Sequence, residues 1–129
     1  MVLCSGCFDG LHAGHVRYLH EAHALSPQDA LVVAIAPDDY IRTTKQRAPF
    51  WGQAERAQTV LALGVVDRVI YQRASTPAGL IREYRPHAFV KGADWTHRLP
   101  EDVIEACRDV GCRIVFTDTP GTHTSEARG

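Results

Sequence analysis

Residues 6–15 of the chain read Gly6-Cys7-Phe8-Asp9-Gly10-Leu11-His12-Ala13-Gly14-His15, between a short apolar run (2–4) and a helical pattern that begins near residue 14. A helix N-terminus has unpaired backbone N–H groups and a partial positive charge, so a turn at this position suits a phosphate. His12 and His15 are three residues apart, which lets both imidazoles reach one anion. The stretch therefore predicts a strand–turn–helix unit that binds phosphate.

The rest of the chain alternates strand and helix patterns. Apolar runs of strand length occupy 2–4, 31–36, 65–71, 87–91 and 112–117, and helical patterns occupy 14–25, 53–63, 77–85 and 100–110. The polar segment 40–52 lacks clean periodicity and is predicted to be a loop with some helical turns. Five strands alternating with helices predict an α/β, Rossmann-like parallel sheet, and we expect the order 3-2-1-4-5. That order places the end of the first strand at the topological switch point, where such sheets bind ligands.

Length and charge limit the classes of function. The 129 residues predict a single domain spanning 1–129, and a net charge of −1 argues against nucleic-acid or membrane partners recruited by bulk charge. The longest apolar run, 31–36, is far below the ~20 residues needed to cross a bilayer. No signal-peptide pattern precedes it, and four cysteines without one predict reduced thiols in the cytoplasm.

Only two of the fourteen basic residues are lysines, and both lie at or beyond the carboxyl end of a predicted strand. Lys45 lies in the segment after the second strand, together with Arg47, and Lys91 ends the fourth strand. Because the second strand neighbours the first in the expected order, the cations of the Lys45 loop can reach a phosphate held by the turn. A solvated surface loop is the alternative for this segment.

Cys4 and Cys7 form a C-x-x-C pair, which leaves two other chemistries open. A redox dithiol normally has its second cysteine at a helix start, whereas here residues 8–10 and the histidines intervene. A zinc site with His12 and His15 would have ligand spacing tighter than the usual zinc finger. Both alternatives are therefore disfavoured.

The opening stretch resembles the G-x-F-D-x-x-H-x-G-H signature of the cytidylyltransferase-like nucleotidyltransferases. All six fixed positions match, and cysteine is frequent at the variable position that Cys7 occupies. The resemblance implies that His12, His15 and Lys45 are catalytic. It also implies a set of nucleotide-binding residues: Gly6, Cys7, Phe8, Asp9, Gly14, Arg47, Asp94, Thr124 and Ser125. The last two match the closing S-T-x-x-R element, which contacts the β- and γ-phosphates.

Residues 89–95, Phe-Val-Lys-Gly-Ala-Asp-Trp, look like the V-K-G-G-D-Y segment of heptose-phosphate adenylyltransferases. They are also similar to the M-G-D-D-W segment of glycerol-3-phosphate cytidylyltransferases. The resemblance implies that Lys91 and Trp95 bind the acceptor. Arg56, which matches the E-R pair at the start of the family's middle helix, is assigned to the acceptor as well.

The implied reaction is transfer of a nucleoside monophosphate from a nucleoside triphosphate to a sugar phosphate, with release of pyrophosphate. We expect adenylyl transfer from ATP to a heptose-1-phosphate-like acceptor, with cytidylyl transfer from CTP to a polyol phosphate such as glycerol-3-phosphate as the alternative. A non-catalytic nucleotide-sensing domain is a third possibility, from another class of function. The resemblance also implies Mg²⁺ carried by the triphosphate rather than by protein ligands, and a homodimer.

Overall fold

The computed structural model of the protein describes residues 1–118. Five strands form one sheet: β1 (Val2–Gly6), β2 (Leu31–Ile35), β3 (Arg68–Tyr71), β4 (Ala88–Lys91) and β5 (Arg113–Phe116). All four neighbouring pairs are parallel, and the strand order is β3-β2-β1-β4-β5. The predicted Rossmann-like α/β sheet and its order are confirmed. The chain runs outward from β1 to β3 and returns to β4, so the switch point lies between β1 and β4.

Helices cover both faces of the sheet. They are α1 (Ala13–Leu25), α2 (Asp38–Lys45), α3 (Gln53–Leu61), α4 (Ala78–Tyr84) and α5 (Glu101–Val110), with a 3₁₀ turn at Ala93–Trp95. Over residues 1–118, no helix combines the length and apolar character that crossing a membrane requires.

Alternate strand residues separate into two hydrophobic cores. On one face, Cys4, Val33 and Val90 pack with Tyr18 and Leu19 of α1 and with Ala57 and Val60 of α3. On the other face, Leu3, Val32 and Phe89 pack with Ile81 of α4 and with Val103 and Cys107 of α5. Because the central strands are covered on both faces, their sequences are continuous apolar runs.

The segment predicted to be a loop, 40–52, is partly a helix. Helix α2 begins at Asp38, directly after Pro37 at the N-cap position, and Asp38 and Asp39 occupy its first turn. Acidic side chains there favour the helix because they face its positive end. Ile41 is fully buried and attaches α2 to the domain. The irregular part of the segment is limited to 46–52.

The third strand is shorter than the apolar run 65–71 predicts, since β3 begins at Arg68. Val66 donates its amide to the carbonyl of Leu63 at 3.1 Å, which makes this stretch a turn. Asp67 then pairs with the start of β2. The amide of Asp67 donates to the carbonyl of Leu31 at 2.9 Å, and the amide of Leu31 donates to the Asp67 carboxylate at 2.8 Å.

Candidate active site

The two histidines of the opening stretch form a reciprocal cap at the start of α1. The amide of Gly14 donates to Nδ1 of His12 at 2.9 Å, and the amide of His12 donates to Nδ1 of His15 at 3.3 Å. The ring centroids are 4.0 Å apart. A ring nitrogen that accepts a hydrogen bond carries no proton, so the proton of each neutral imidazole is on Nε2. The turn therefore presents two N–H donors side by side at a helix N-terminus.

His15 is held in the neutral form. Only 3% of the residue is exposed. Burial is the largest cause that lowers its pKa from 6.5 to about 3, and electrostatic repulsion from the basic side chains of His12, Lys45 and Lys91 acts in the same direction. At neutral pH, His15 is thus a hydrogen-bond donor without a charge of its own.

Both lysines of the chain approach this turn, from two different elements. Lys45 is the last residue of α2, and Lys91 is the last residue of β4. The positive charge of each acts on the imidazole of His15 and on the thiol of Cys7. The strand order predicts this convergence, because β2 and β4 both neighbour β1.

Lys91 is a buried cation, with 5% of the residue exposed. Its Nζ donates to the carbonyl of Ser5 at 3.0 Å and lies 3.5 Å from the Ser5 hydroxyl. Burial lowers the pKa of Lys91 from 10.5 to about 8, although Cys7, Cys4 and Asp94 oppose the shift. The ammonium is charged at pH 7 and loses its charge around pH 8.

Trp95 lies next to this ammonium. The Nζ of Lys91 is 4.5 Å from the centroid of the Trp95 ring, and the Cζ of Arg98 is 5.4 Å from it. A ring face attracts cations through its quadrupole. The buried Nε1 of Trp95 has no hydrogen-bond partner within the described part of the chain.

Asp9 and Arg47, both predicted to bind the nucleotide, form an ion pair with each other. The carboxylate of Asp9 accepts from Nη1 of Arg47 at 2.8 Å and from the amides of Phe50 and Trp51 at 2.9 and 3.0 Å. Burial alone would raise the pKa of Asp9, but these hydrogen bonds outweigh burial and lower it below the ordinary 3.8. The Cζ of Arg47 also lies 4.1 Å from the Phe50 ring centroid.

Arg56, which the family resemblance assigns to the acceptor, has a fully buried side chain that is held by the protein itself. Its Nε donates to the carbonyl of Trp51 at 2.9 Å, Nη1 to the carbonyl of Cys7 at 2.8 Å, and Nη2 to the carboxylate of Asp38 at 2.7 Å. The E-R pattern placed Arg56 correctly at the start of a helix, but it carries no information on which way the side chain faces.

The small and aromatic residues of the turn serve packing. Phe8 is 1% exposed, has a φ of 53°, and its ring centroid lies 5.2 Å from that of His15. A Cβ atom on Gly6 would come within 2.8 Å of the Phe8 ring, so Gly6 makes room for Phe8. Gly14 is buried and gives its amide to His12. The predicted nucleotide contacts of Gly6, Phe8 and Gly14 stay predictions.

The cysteines give no support to the zinc and redox alternatives. Cys4 is fully buried in the core, where burial raises its pKa to about 12, so it is a protonated thiol rather than a metal ligand. Cys7 is partly buried, and burial raises its pKa as well. Across residues 1–118, no group of three or more His, Cys, Asp or Glu residues is arranged to hold a metal ion.

Sequence reasoning missed two supporting residues, Ser5 and Asp38. Asp38 could have been found, because Pro-Asp-Asp after a strand is a helix-start pattern. Ser5 gave no signal, because its role depends on the pairing of β1 with β4. Asp94 lies in the 3₁₀ turn after β4. Thr124 and Ser125 lie outside the described residues.

Two curated relatives, both named bifunctional protein HldE, match most of this chain. Bifunctional protein HldE of Pelobacter propionicus is 41% identical over 117 residues, which are 88% of this chain and 23% of that protein. Bifunctional protein HldE of Geotalea uraniireducens is 40% identical over 128 residues, covering 95% of this chain and 25% of its own length. The chain thus spans about a quarter of the length of these relatives.

A solved structure of the lipopolysaccharide core biosynthesis protein from Thermoplasma volcanium superposes with a TM-score of 0.76 at 27% identity, covering 92% of this chain and 95% of that one. A protein from Archaeoglobus fulgidus shares the fold at a TM-score of 0.68 and 19% identity, over 91% of this chain and 88% of its own. The cytidylyltransferase-like family model matches residues 3–128. The chain belongs to the cytidylyltransferase-like family of nucleotidyltransferases.

Proposed function

We propose that this domain transfers a nucleoside monophosphate from a magnesium-bound nucleoside triphosphate to a sugar phosphate. The observation that carries the proposal is the pair of Nε2–H donors of His12 and His15 at the start of α1, with Lys45 and Lys91 on either side. In the proposed step, an oxygen of the acceptor phosphate attacks the α-phosphorus. The bond from that phosphorus to the α,β-bridging oxygen breaks, and pyrophosphate leaves with the electron pair.

The proposed step needs neither a protein nucleophile nor a general base, because the attacking phosphate is already ionised. Catalysis then consists of positioning and of stabilising the charge that builds up on the phosphate oxygens. His12 and His15 would donate hydrogen bonds from Nε2 to the α- and β-phosphates. The two lysines would neutralise the charge that moves onto the leaving pyrophosphate.

Magnesium would enter with the triphosphate. The carboxylate of Asp9, within the phosphate turn, accepts three hydrogen bonds from the protein and its side chain is only 2% exposed. It is therefore a poor candidate for a metal ligand. Mg²⁺ binds through substrate phosphates and keeps several of its waters, so an all-protein site is not required.

ATP and a heptose-1-phosphate-like acceptor are the favoured substrates. The similarity to the HldE proteins and to a lipopolysaccharide core biosynthesis protein supports a sugar phosphate, as does the Val-Lys-Gly segment at 90–92. CTP with a polyol phosphate is the second candidate, because Asp94-Trp95 matches the glycerol-3-phosphate enzymes. The family resemblance further supports a homodimer in the cytoplasm, and light scattering of the purified protein would test the dimer.

The direct test is pyrophosphate release from ATP or CTP with Mg²⁺. Each nucleotide would be combined with a heptose-1-phosphate, with glycerol-3-phosphate, or with no acceptor. We expect release from ATP only when the sugar phosphate is present. Release from CTP with glycerol-3-phosphate would select the cytidylyl alternative. Nucleotide binding without pyrophosphate from any acceptor would contradict an enzymatic function and favour the sensing domain.

A further inference from the structure

The segment from α2 to the start of α3 carries four basic residues, and three of them are neutralised within the domain. The three ion pairs are Arg42–Asp39 at 2.8 Å, Arg47–Asp9 at 2.8 Å and Arg56–Asp38 at 2.7 Å. Lys45 is different, because it makes no ion pair within residues 1–118. Its charge acts on His15 and Cys7. Pairing the arginines leaves Lys45 as the cation of this segment that is available to a ligand.

Lys45 is followed by an irregular stretch, 46–52, that has little apolar anchoring of its own. Gln46 turns the chain with a φ of 56°, and residues Phe50 and Trp51 are 67% and 53% exposed. Hydrophobic burial therefore does not fix this stretch against the domain. Polar contacts have to hold it.

Asp9 supplies most of these contacts. One oxygen of its carboxylate accepts from Arg47 and from the amide of Phe50, and the other accepts from the amide of Trp51. The bonds connect the middle of the phosphate turn to residues about 40 positions later in the chain. With both oxygens engaged and the side chain buried, Asp9 acts on the rest of the protein rather than on a substrate.

Arg56 holds the same stretch from the other end. Its guanidinium joins the carbonyl of Cys7, in the phosphate turn, to the carbonyl of Trp51 and to Asp38 at the start of α2. The turn, α2 and the stretch 46–52 are thus tied together on both sides of Lys45. Charge-assisted hydrogen bonds of this kind fix geometry better than an exposed ion pair does.

We propose that Asp9 is a positioning residue. With the help of Arg56, it holds Lys45 at its working distance from His12 and His15. This inference rests on the proposed nucleotidyl transfer. It differs from the nucleotide contact that the family signature implies for Asp9, because Asp9 acts through Lys45.

The test is a double-mutant cycle. Asp9→Asn replaces one acceptor oxygen by a donor amide, and we expect kcat/KM for the nucleotide to fall about 10²-fold, since small misplacements of a catalytic group cost that much. In a Lys45→Ala background, the same substitution should cost less than about threefold, because the residue being positioned is absent. Asp39→Asn is the matched control. It breaks an exposed ion pair on the same segment and should change kcat/KM less than about twofold.

An equal loss from Asp9→Asn in both backgrounds would overturn the proposal. If Asp9→Asn does not fold, Arg47→Met removes one of the three donors and leaves both amide bonds. Arg47→Met should lower kcat/KM less than Asp9→Asn does, and its effect should also shrink in the Lys45→Ala background. If the unaltered protein releases no pyrophosphate with any acceptor, nucleotidyl transfer fails, but the affinities of the same variants for Mg–ATP still decide the positioning role. Asp9→Asn should also speed hydrogen exchange of the Phe50 and Trp51 amides. Unchanged exchange would overturn the positioning role of Asp9.

Discussion

Lys45 and Lys91 approach the same pair of histidines, but the protein holds them in opposite ways. Lys45 ends a surface helix, next to a stretch that ion pairs and hydrogen bonds attach to the phosphate turn. Lys91 ends a core strand, with its ammonium buried against a carbonyl and an indole ring. The first position depends on a polar network, and the second depends on the sheet itself.

The difference determines what each lysine is sensitive to. A side chain positioned by a network loses its place when a single partner such as Asp9 is changed. A buried ammonium keeps its place, but burial disfavours its charge. The site therefore combines one cation that responds to mutation of distant partners with one that responds to pH.

Removing His15, the imidazole that both lysines approach, should lower the activity most. We expect His15→Ala to lower kcat about 10²–10³-fold, the usual cost of one donor that stabilises developing charge. Pyrophosphate release measures the loss, and circular dichroism checks that the fold is kept. His20→Ala is the control, because His20 is exposed on the same helix and its ring forms a hydrogen bond with the Val16 carbonyl of that helix. Unchanged turnover in His15→Ala would exclude the histidine turn as the active site.

Lys45→Ala should separate activity from stability. We expect kcat to fall about 10²-fold with the loss of one stabilising charge. The free energy of unfolding should change by less than about 0.5 kcal/mol, because Lys45 makes no ion pair in the described part of the chain. Urea denaturation and pyrophosphate release measure the two quantities. A loss of stability comparable to the loss of activity would mean that Lys45 is structural, and would break the contrast with Lys91.

Lys91 should give the reaction an upper pH limit. Its pKa is lowered to about 8, so the ammonium is charged below that pH and neutral above it. We expect kcat/KM for the acceptor to fall about tenfold per pH unit above pH 8, since this parameter reports the free enzyme. Lys91→Arg keeps the charge at every accessible pH and should abolish the decline. Lys45→Ala should retain it. The same decline in Lys91→Arg would assign the limit to another group.

The sequence was most informative where local pattern and topology coincide. The apolar runs and the motif order predicted the sheet, and the sheet then placed Lys45 and Lys91 beside the histidines. The sequence was least informative for side chains whose contacts depend on distant partners. Arg56 and Asp9 matched family positions, but burial and their hydrogen bonds to residues tens of positions away cannot be read from a linear motif. Helix α2 was predicted only as helical turns within a loop, because its start signal at 37–39 was interpreted as the end of a strand.

The smallest expected effect tests whether His15 stays neutral in the folded protein. Its pKa is about 3 when folded and 6.5 in the reference state, so below pH 6.5 the unfolded chain binds a proton that the folded chain does not. The free energy of unfolding should therefore fall as the pH falls, by about 0.7 kcal/mol between pH 7 and pH 6 from this group alone. His15→Asn lacks the titrating group and should lack this part of the slope. Urea denaturation at the two pH values, with His20→Asn as the exposed control, measures the difference. If the free energy of unfolding falls equally between pH 7 and pH 6 in His15→Asn and in the unaltered protein, then folded His15 takes up a proton. The two lysines would then flank a cation instead of a neutral donor.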